Sequence, residues 1–239
     1  MKNNSIINEK ELNYKTQKFY HYKNIQIFAD KGIHEWVHEE FMSHCFDTNS
    51  KILMLWSWAW ALDQRIIDSW YTNITAVDIE PSFYKTTNKN VSQVDLNQDF
   101  SNLWKFDVIF AVEIIEHLEN QFHFMRNIST CLSNGGHVFL TTPNIGSPFS
   151  RLSFFVYGKL HAFSQAALDG FWHINPIHDY LLIHSIKNCN LDFERKSNFC
   201  RFTIKNNTVW MLFKSIIVIL LSFFMKWNNN ITDLYVIKK

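Results

Sequence analysis

The stretch ILMLWSWAWALDQRIIDSWYTNITAVDIEP, residues 52–81, decides how the rest of the chain is read. Ile52 to Leu55 is a short, wholly apolar run suited to a strand buried on both faces. Residues 61–70 place Leu62, Ile66 and Ile67 on one helical face. Residues 73–80 return to a strand that closes on Asp78 and Glu80. Apolar run, amphipathic helix, apolar run is the sequence signature of a parallel strand–helix–strand unit, because crossover helices cover both faces of such a sheet.

The same alternation continues on either side. Residues 31–46, with Ile33, Val37, Phe41 and Met42, predict an amphipathic helix. Residues 91–96 and 106–113 predict strands, and 115–133 a helix. An Asn134-Gly135-Gly136 turn leads into a strand at 137–144. Helical character is expected within 147–163 and in the later part of 172–190, and the last strands at 191–204 and 231–239. The whole is an α/β chain with a Rossmann-like, doubly wound, mostly parallel seven-stranded sheet. Ligands of such sheets lie outside the carboxyl ends of the strands. That rule singles out Trp56 to Trp60, Asp78 to Glu80, Asp95 to Asn97, Glu113, and Thr142 to Asn144.

Domain organisation follows. The polar residues 1–30 read as a lead-in and 31–239 as one domain. The apolar segment 209–227 reads as a helix inserted between the last two strands. Ser215 to Met225 is too short to span a bilayer, which takes about 20 apolar residues. Trp210, Lys214, Lys226 and Trp227 are interface-anchoring types, so the segment is expected to lie on a membrane surface or cap the sheet. The chain has 23 basic and 22 acidic side chains, a net charge of +1 that argues against nucleic acid as a partner. Cys45, Cys131, Cys189 and Cys200 form no C-x-x-C pair and no apolar leader precedes them, so reduced thiols and a cytoplasmic location are expected, with a possible peripheral position at the inner membrane face. His34, His38, His44 and Cys45 lack the spacing of a metal site, and no metal is expected.

Three segments, 52–81, DVIFAVEIIEHLEN and GGHVFLTTPN, occur in an order that resembles class I S-adenosylmethionine (SAM)-dependent methyltransferases. The likeness is nearest to small enzymes of cell-surface polysaccharide and ubiquinone-type pathways, and it covers about residues 31–205. It implies SAM as cofactor and a small-molecule acceptor that is saccharide-like or membrane-associated. It places Met54, Trp56, Ser57, Trp58 and Trp60 in the cofactor loop and Asp78 with Ile79 at the ribose. Asp95 and Leu96 fall on the adenine side and Glu113 flanks the methionine end. A carboxylate such as Asp78 can accept two hydrogen bonds from a vicinal diol. His173, in the WHINP loop, and His117 are candidate bases for the acceptor proton, with a surface loop and a packed or capping histidine as the plain alternatives.

The departure from the family lies in the loop. Relatives have an acid at position 54 and glycines at 56, 58 and 60; relatives commonly have turn glycines at 70 and 104 as well. Here these places hold methionine and five tryptophans. The chain has 6 glycines and 9 tryptophans, where average usage would give roughly 17 glycines. Glycine lets the backbone approach a ligand closely and take positive φ; tryptophan does neither. A GGG glycine codon becomes the tryptophan codon UGG by one base, whereas aspartate to methionine takes more than one. The resemblance therefore supports two functions: a methyl transfer to oxygen or nitrogen impaired by the altered loop, or a catalytically inactive methyltransferase-like binding or scaffold protein.

Overall fold

The computed structural model describes residues 20–55, 60–88, 90–199 and 231–239. Trp56, Ser57 and Trp58 and the apolar segment 209–227 lie outside the described residues. Nine strands and six α-helices are described: β1 (Tyr20–Tyr22), β2 (Ile25–Ile27), α1 (Ile33–Ser43), β3 (Ile52–Leu55), α2 (Trp60–Asp68), β4 (Ile74–Asp78), β5 (Val91–Gln93), β6 (Phe106–Val112), α3 (Gln121–Cys131), β7 (Leu132–Pro143), α4 (Pro148–Tyr157), α5 (Gln165–Phe171), α6 (Asp179–Asn188), β8 (Asp192–Phe199) and β9 (Thr232–Lys238).

The main sheet has seven strands in the order β5-β4-β3-β6-β7-β9-β8. β5 to β7 are parallel, and β9 runs antiparallel to both β7 and β8. The mostly parallel doubly wound sheet expected from the sequence is present. Central β3 explains its stability: successive side chains point to opposite faces. Leu53 and Leu55 enter the core shared with α3 and α6, while Ile52 and Met54 enter the core shared with α1 and α2. All four are 2% exposed or less. Burying each such side chain is worth about 1.5–3 kcal/mol. The α1 side is an aromatic core in which Phe41 packs 4.8 Å from Tyr71 and 5.3 Å from Phe110, ring centre to ring centre.

Three local expectations are corrected. Within the lead-in, where no strand is expected, residues 20–27 form an antiparallel hairpin on α2. Ile25 and Ile27 bury against Trp60 and Ala61, Tyr22 donates to Asp68 at 2.7 Å, and the Arg65 guanidinium lies 4.0 Å from the centre of the Tyr22 ring. The alternation is only three residues long and too brief to read as a strand. The single helix expected over 115–133 is two pieces. A 3-10 turn, Ile115–His117, gives way to extended Leu118, and the Asn120 side chain then caps α3 by accepting from the N–H groups of Phe122 and His123. Gly135 and Gly136 are not a turn before β7 but a bulge within it. The β6 pairing jumps from Phe106–Leu132 to Val108–His137, and a Cβ on Gly136 would come within 3.0 Å of the Asp107 carbonyl oxygen.

Candidate active site at the carboxyl end of the sheet

The carboxyl ends of β4, β5, β6 and β7 collect most of the polar residues expected there. Asp78, 2% exposed, closes β4 and accepts the Glu80 N–H at 2.7 Å. The Val94 N–H donates to the Asp78 carbonyl at 2.9 Å, which sets the two acids of the expected ribose and adenine positions on adjacent strand ends. Asp95 is half-buried and accepts the Asn97 N–H at 2.9 Å, in a turn whose Asn97 side chain accepts from the Glu119 N–H. Leu96 faces inward, whereas Ile79 is 58% exposed beside Asp78. Met54 is not at the surface of this crevice; its side chain lies in the α1–α2 core. Trp60 opens α2 and is buried 6.2 Å from Tyr84, with its indole Nε1 lacking a hydrogen-bond partner.

Behind Asp78 stands an acid that the sequence reading missed. Asp63, on α2, is fully buried and accepts from the Tyr84 hydroxyl at 2.5 Å, while its Oδ1 has no partner. Burial pushes its carboxyl up to about 7 against the Tyr84 bond, and the charge of Asp78 adds to the rise.

The densest chemistry follows β6. Glu113 is half-buried with φ 51°, its N–H donating to Thr141 Oγ1 at 2.9 Å and its Oε1 accepting from that hydroxyl at 2.9 Å. Burial pushes its carboxyl up to about 7, opposed by the Thr141 bond and helped by the charges of Asp30 and Asp233. Three residues on, Glu116 is wholly buried. Its Oε2 accepts from Thr142 at 3.1 Å, and its Oε1 has no hydrogen-bond partner and lies 3.9 Å from His117 Nε2. Burial and the neighbouring Glu113 raise the Glu116 carboxyl well above its ordinary value.

The two candidate histidines meet here. The rings of His117 and His173 stand edge to face with centres 4.8 Å apart. The WHINP loop is stitched to the β6 end by its main chain, since the N–H groups of Ile174 and Asn175 both donate to the Glu116 carbonyl, at 3.1 and 2.9 Å. The Asn175 side chain donates to the Leu118 carbonyl at 3.1 Å. Burial, and then His173, lowers the His117 imidazole to about 3. His173 is also lowered by burial. His173 Nδ1 lies 2.7 Å from the Ala162 carbonyl, which can only accept; Nδ1 therefore carries the proton and Nε2 is the free base. His178, the other loop histidine, caps α6 by accepting the Tyr180 N–H at 3.3 Å.

His173 also borders a cleft of about 320 Å³ lined by Phe163, Ser164, Gln165, Leu168, Ile174 and Pro176. Glu116, His117 and His173 each bring one ligand atom within 4.8 Å of the others, a spacing a divalent cation could bridge. Of the N-terminal histidines, only His44 falls in such a group among the described residues, with His137 and Glu194. His34 is buried and pushed down to about 3 by its burial, and His38 pairs with Ser69 at 2.7 Å. Glu116, Thr141 and Thr142 were legible only as the second acid of EIIEH and the TT pair before Pro143.

A doubly wound sheet ending in an antiparallel pair, with acids at the ends of β4, β5 and β6, defines a domain that binds a nucleoside-bearing ligand across its carboxyl edge. The chain belongs to the methyltransferase-domain family whose model matches residues 29–188. It is 29% identical over 87 residues to the mitochondrial ubiquinone biosynthesis O-methyltransferase of Dictyostelium discoideum, a match covering 33% of this chain and 27% of that protein. The chain thus aligns with about a quarter of that curated relative. Its fold is similar to a SAM-dependent methyltransferase from Archaeoglobus fulgidus, with TM-score 0.58, 13% identity, and 86% of this chain and 94% of that one covered. It is also similar to one from Mesorhizobium loti, with TM-score 0.53, 12% identity, and 87% and 99% covered.

Proposed function

We propose that the chain transfers a methyl group from SAM to an oxygen or nitrogen of a small-molecule acceptor. The observation that carries this reading is the convergence of His173, His117 and buried Glu116 beside a cleft, at the end of the sheet where Asp78, Asp95 and Glu113 also stand. The residues present suit the cofactor. On this reading Asp78 takes the ribose diol, Asp95 and Leu96 the adenine side, and Glu113 the amino-acid end. Glu116 Oε1 is a buried acceptor with no bond of its own. When bound, SAM supplies an electrophilic methyl on a positively charged sulfur. Glu113 and Glu116, both held above the ordinary carboxylate range chiefly by burial, favour a cationic ligand whose charge offsets the cost of ionising them there.

His173 is the better base of the two, since a histidine lowered to about 3 is a weak proton acceptor at neutral pH. His173 Nε2 takes the acceptor proton while the cleft aligns the attacking atom, and alignment supplies much of the rate. Phe163, Leu168, Ile174 and Pro176 alternate with Ser164, Gln165 and His173 in the cleft wall, a mixed lining that supports a small acceptor with both apolar and polar parts. Phe154, Phe155, Val156 and Tyr157 of α4 are all more than half exposed and support a membrane-surface position for such an acceptor. No helix among the described residues is long and apolar enough to cross a membrane.

Calorimetric titration with SAM tests the cofactor reading, using the chain and its Trp56→Gly/Trp58→Gly/Trp60→Gly form. Micromolar binding by either supports it, and loss of that binding in Asp78→Ala assigns the ribose contact. Silence from both folded proteins overturns it in favour of the scaffold alternative.

A further inference from the structure

The described tryptophans are of two kinds: Trp36 and Trp60 are packed, and Trp70, Trp104 and Trp172 are exposed. Trp36 lies inside α1, half-buried, with its ring centre 5.4 Å from that of Phe199. Packing of that sort is what makes a large indole worth having. Trp70, Trp104 and Trp172 are 82%, 83% and 68% exposed. Two of these also hold a backbone conformation that suits glycine and opposes a bulky side chain. Trp70 has φ 73° and Trp172 φ 58°.

Trp70 occupies the position just past α2 in a complete helix stop. Its N–H donates to the Ile67 carbonyl at 3.0 Å and the Tyr71 N–H to the Ile66 carbonyl at 3.3 Å. That pair of bonds requires a left-handed residue between them, and glycine fills the place most often because it has no Cβ. Trp172 closes α5, its N–H donating to Leu168 at 3.1 Å. α4 stops on Gly158 with φ 65° and the turn after α6 on Asn190 with φ 54°, while the smaller Cys45 takes φ 52° just past α1. Trp104 stands fully in solvent just before β6.

Trp56, Trp58 and Trp60 stand at the three loop positions where the methyltransferases this sequence resembles carry glycine. Backbone geometry asks for glycine at Trp70 and Trp172, and the family pattern asks for it at Trp56, Trp58, Trp60, Trp70 and Trp104, which together are six of the nine tryptophans in a chain with only 6 glycines. Six separate substitutions, each striking a glycine and each ending in the same residue, are a poor account of that pattern. UGA is a codon whose meaning differs between genetic codes, tryptophan in one and glycine in another.

We propose that positions 56, 58, 60, 70, 104 and 172 are glycine in the protein its own cell makes, because their codon is UGA and that cell reads UGA as glycine. One decoding rule then accounts for all six positions and leaves Trp36, encoded by UGG, as tryptophan. Residues 56–60 then read Gly-Ser-Gly-Ala-Gly, a sequence of the glycine-rich kind that the resemblance implies at this place. Trp210 and Trp227 fall outside the described residues and are not assigned. Trp70 and Trp104 lie at the opposite edge of the sheet from the candidate site, so the proposal does not depend on the cofactor.

Two measurements decide it. The first reads the codons of the gene and the masses of peptides from the native cell. UGA codons with glycine peptides at the six positions, and UGG with tryptophan at 36, are expected; UGG or tryptophan at the six overturns the proposal. The second expresses Trp70→Gly and Trp172→Gly separately. Each is expected to raise the melting temperature by about 2–4 °C, the shift that relief of a left-handed bulky residue gives in a chain of this size. A fall or no change at both positions removes the backbone argument. If native peptides carry glycine but the six-glycine protein ignores SAM, the decoding stands and the cofactor reading fails.

Discussion

The two edges of the parallel sheet are built from the same strands and treat polar groups in opposite ways. At the amino edge, the Lys51 N–H donates to Asp107 and the Asn73 side chain donates to the Asn49 carbonyl, in exposed pairs with ordinary geometry. At the carboxyl edge, Asp63, Asp78, Glu116 and Asp233 are each 2% exposed or less. Asp63 and Glu116 keep an oxygen without a partner, and the carboxyls of Asp63, Glu113, Glu116 and Asp233 are all held high by burial. Burying acids this way opposes folding. A chain that confines the expense to one edge is keeping that edge for a ligand.

The largest effect that sharpens this contrast is on turnover. His173→Ala is expected to lower methyl transfer by about 10²- to 10⁴-fold, the range for loss of a general base, while SAM affinity stays within about twofold. Equal losses in affinity and turnover would make His173 a structural residue. The corresponding His117→Ala is expected to cost less, because a base lowered to about 3 contributes little proton transfer near neutrality.

Next is the pH dependence of stability. Folded Asp63 holds its proton to about pH 7, whereas the unfolded chain releases it near 3.8. Between those values the folded state binds more protons, so this group's contribution to stability falls as pH rises. Asp63→Asn removes that slope and is expected to stabilise the protein at pH 8 by on the order of 2 kcal/mol relative to pH 4. His34 and His117 act in the opposite sense. Both are lowered to about 3, so their contribution is lost as pH falls from 6.5 toward 3. Urea denaturation of parent and variant at the two pH values checks the Asp63 effect; parallel curves would mean that Asp63 is not held protonated.

Glu116→Gln keeps the acceptor for Thr142 and the main-chain bonds but cannot become an anion. It is expected to weaken SAM binding about tenfold, or about 1.4 kcal/mol, with the fold intact. Unchanged affinity would remove Glu116 from the cofactor side and leave it as a support for the histidines. At the amino edge Asp107→Asn should shift stability by less than about 1 kcal/mol, as an exposed bond does. A larger loss there would erase the difference between the two edges.

The sheet was legible because its strands are wholly apolar and its helices keep a 3.6-residue period. Ile52 to Leu55 and Phe106 to Val112 need no tertiary context to be read as strands. Where context decides, the sequence was silent. Only the Asn120 cap and extended Leu118 split the helix expected over 115–133, and only the offset between β6 and β7 turns Gly135-Gly136 into a bulge. In the candidate site, Asp78 and Glu113 could be named as strand-end acids, and His117 and His173 through the family resemblance. Asp63 and Glu116 could not, since each looks like an ordinary helix acid until its burial is known.

Glu116 lends its side chain to one half of the site and its carbonyl to the other. In the proposed reading, the distance between the cofactor side and the acceptor cleft is therefore gauged by main-chain bonds, which a side-chain replacement at position 116 leaves in place. Diversification for a new acceptor is channelled into the cleft wall. An added or lost residue between His173 and Pro176 would throw the two halves out of step.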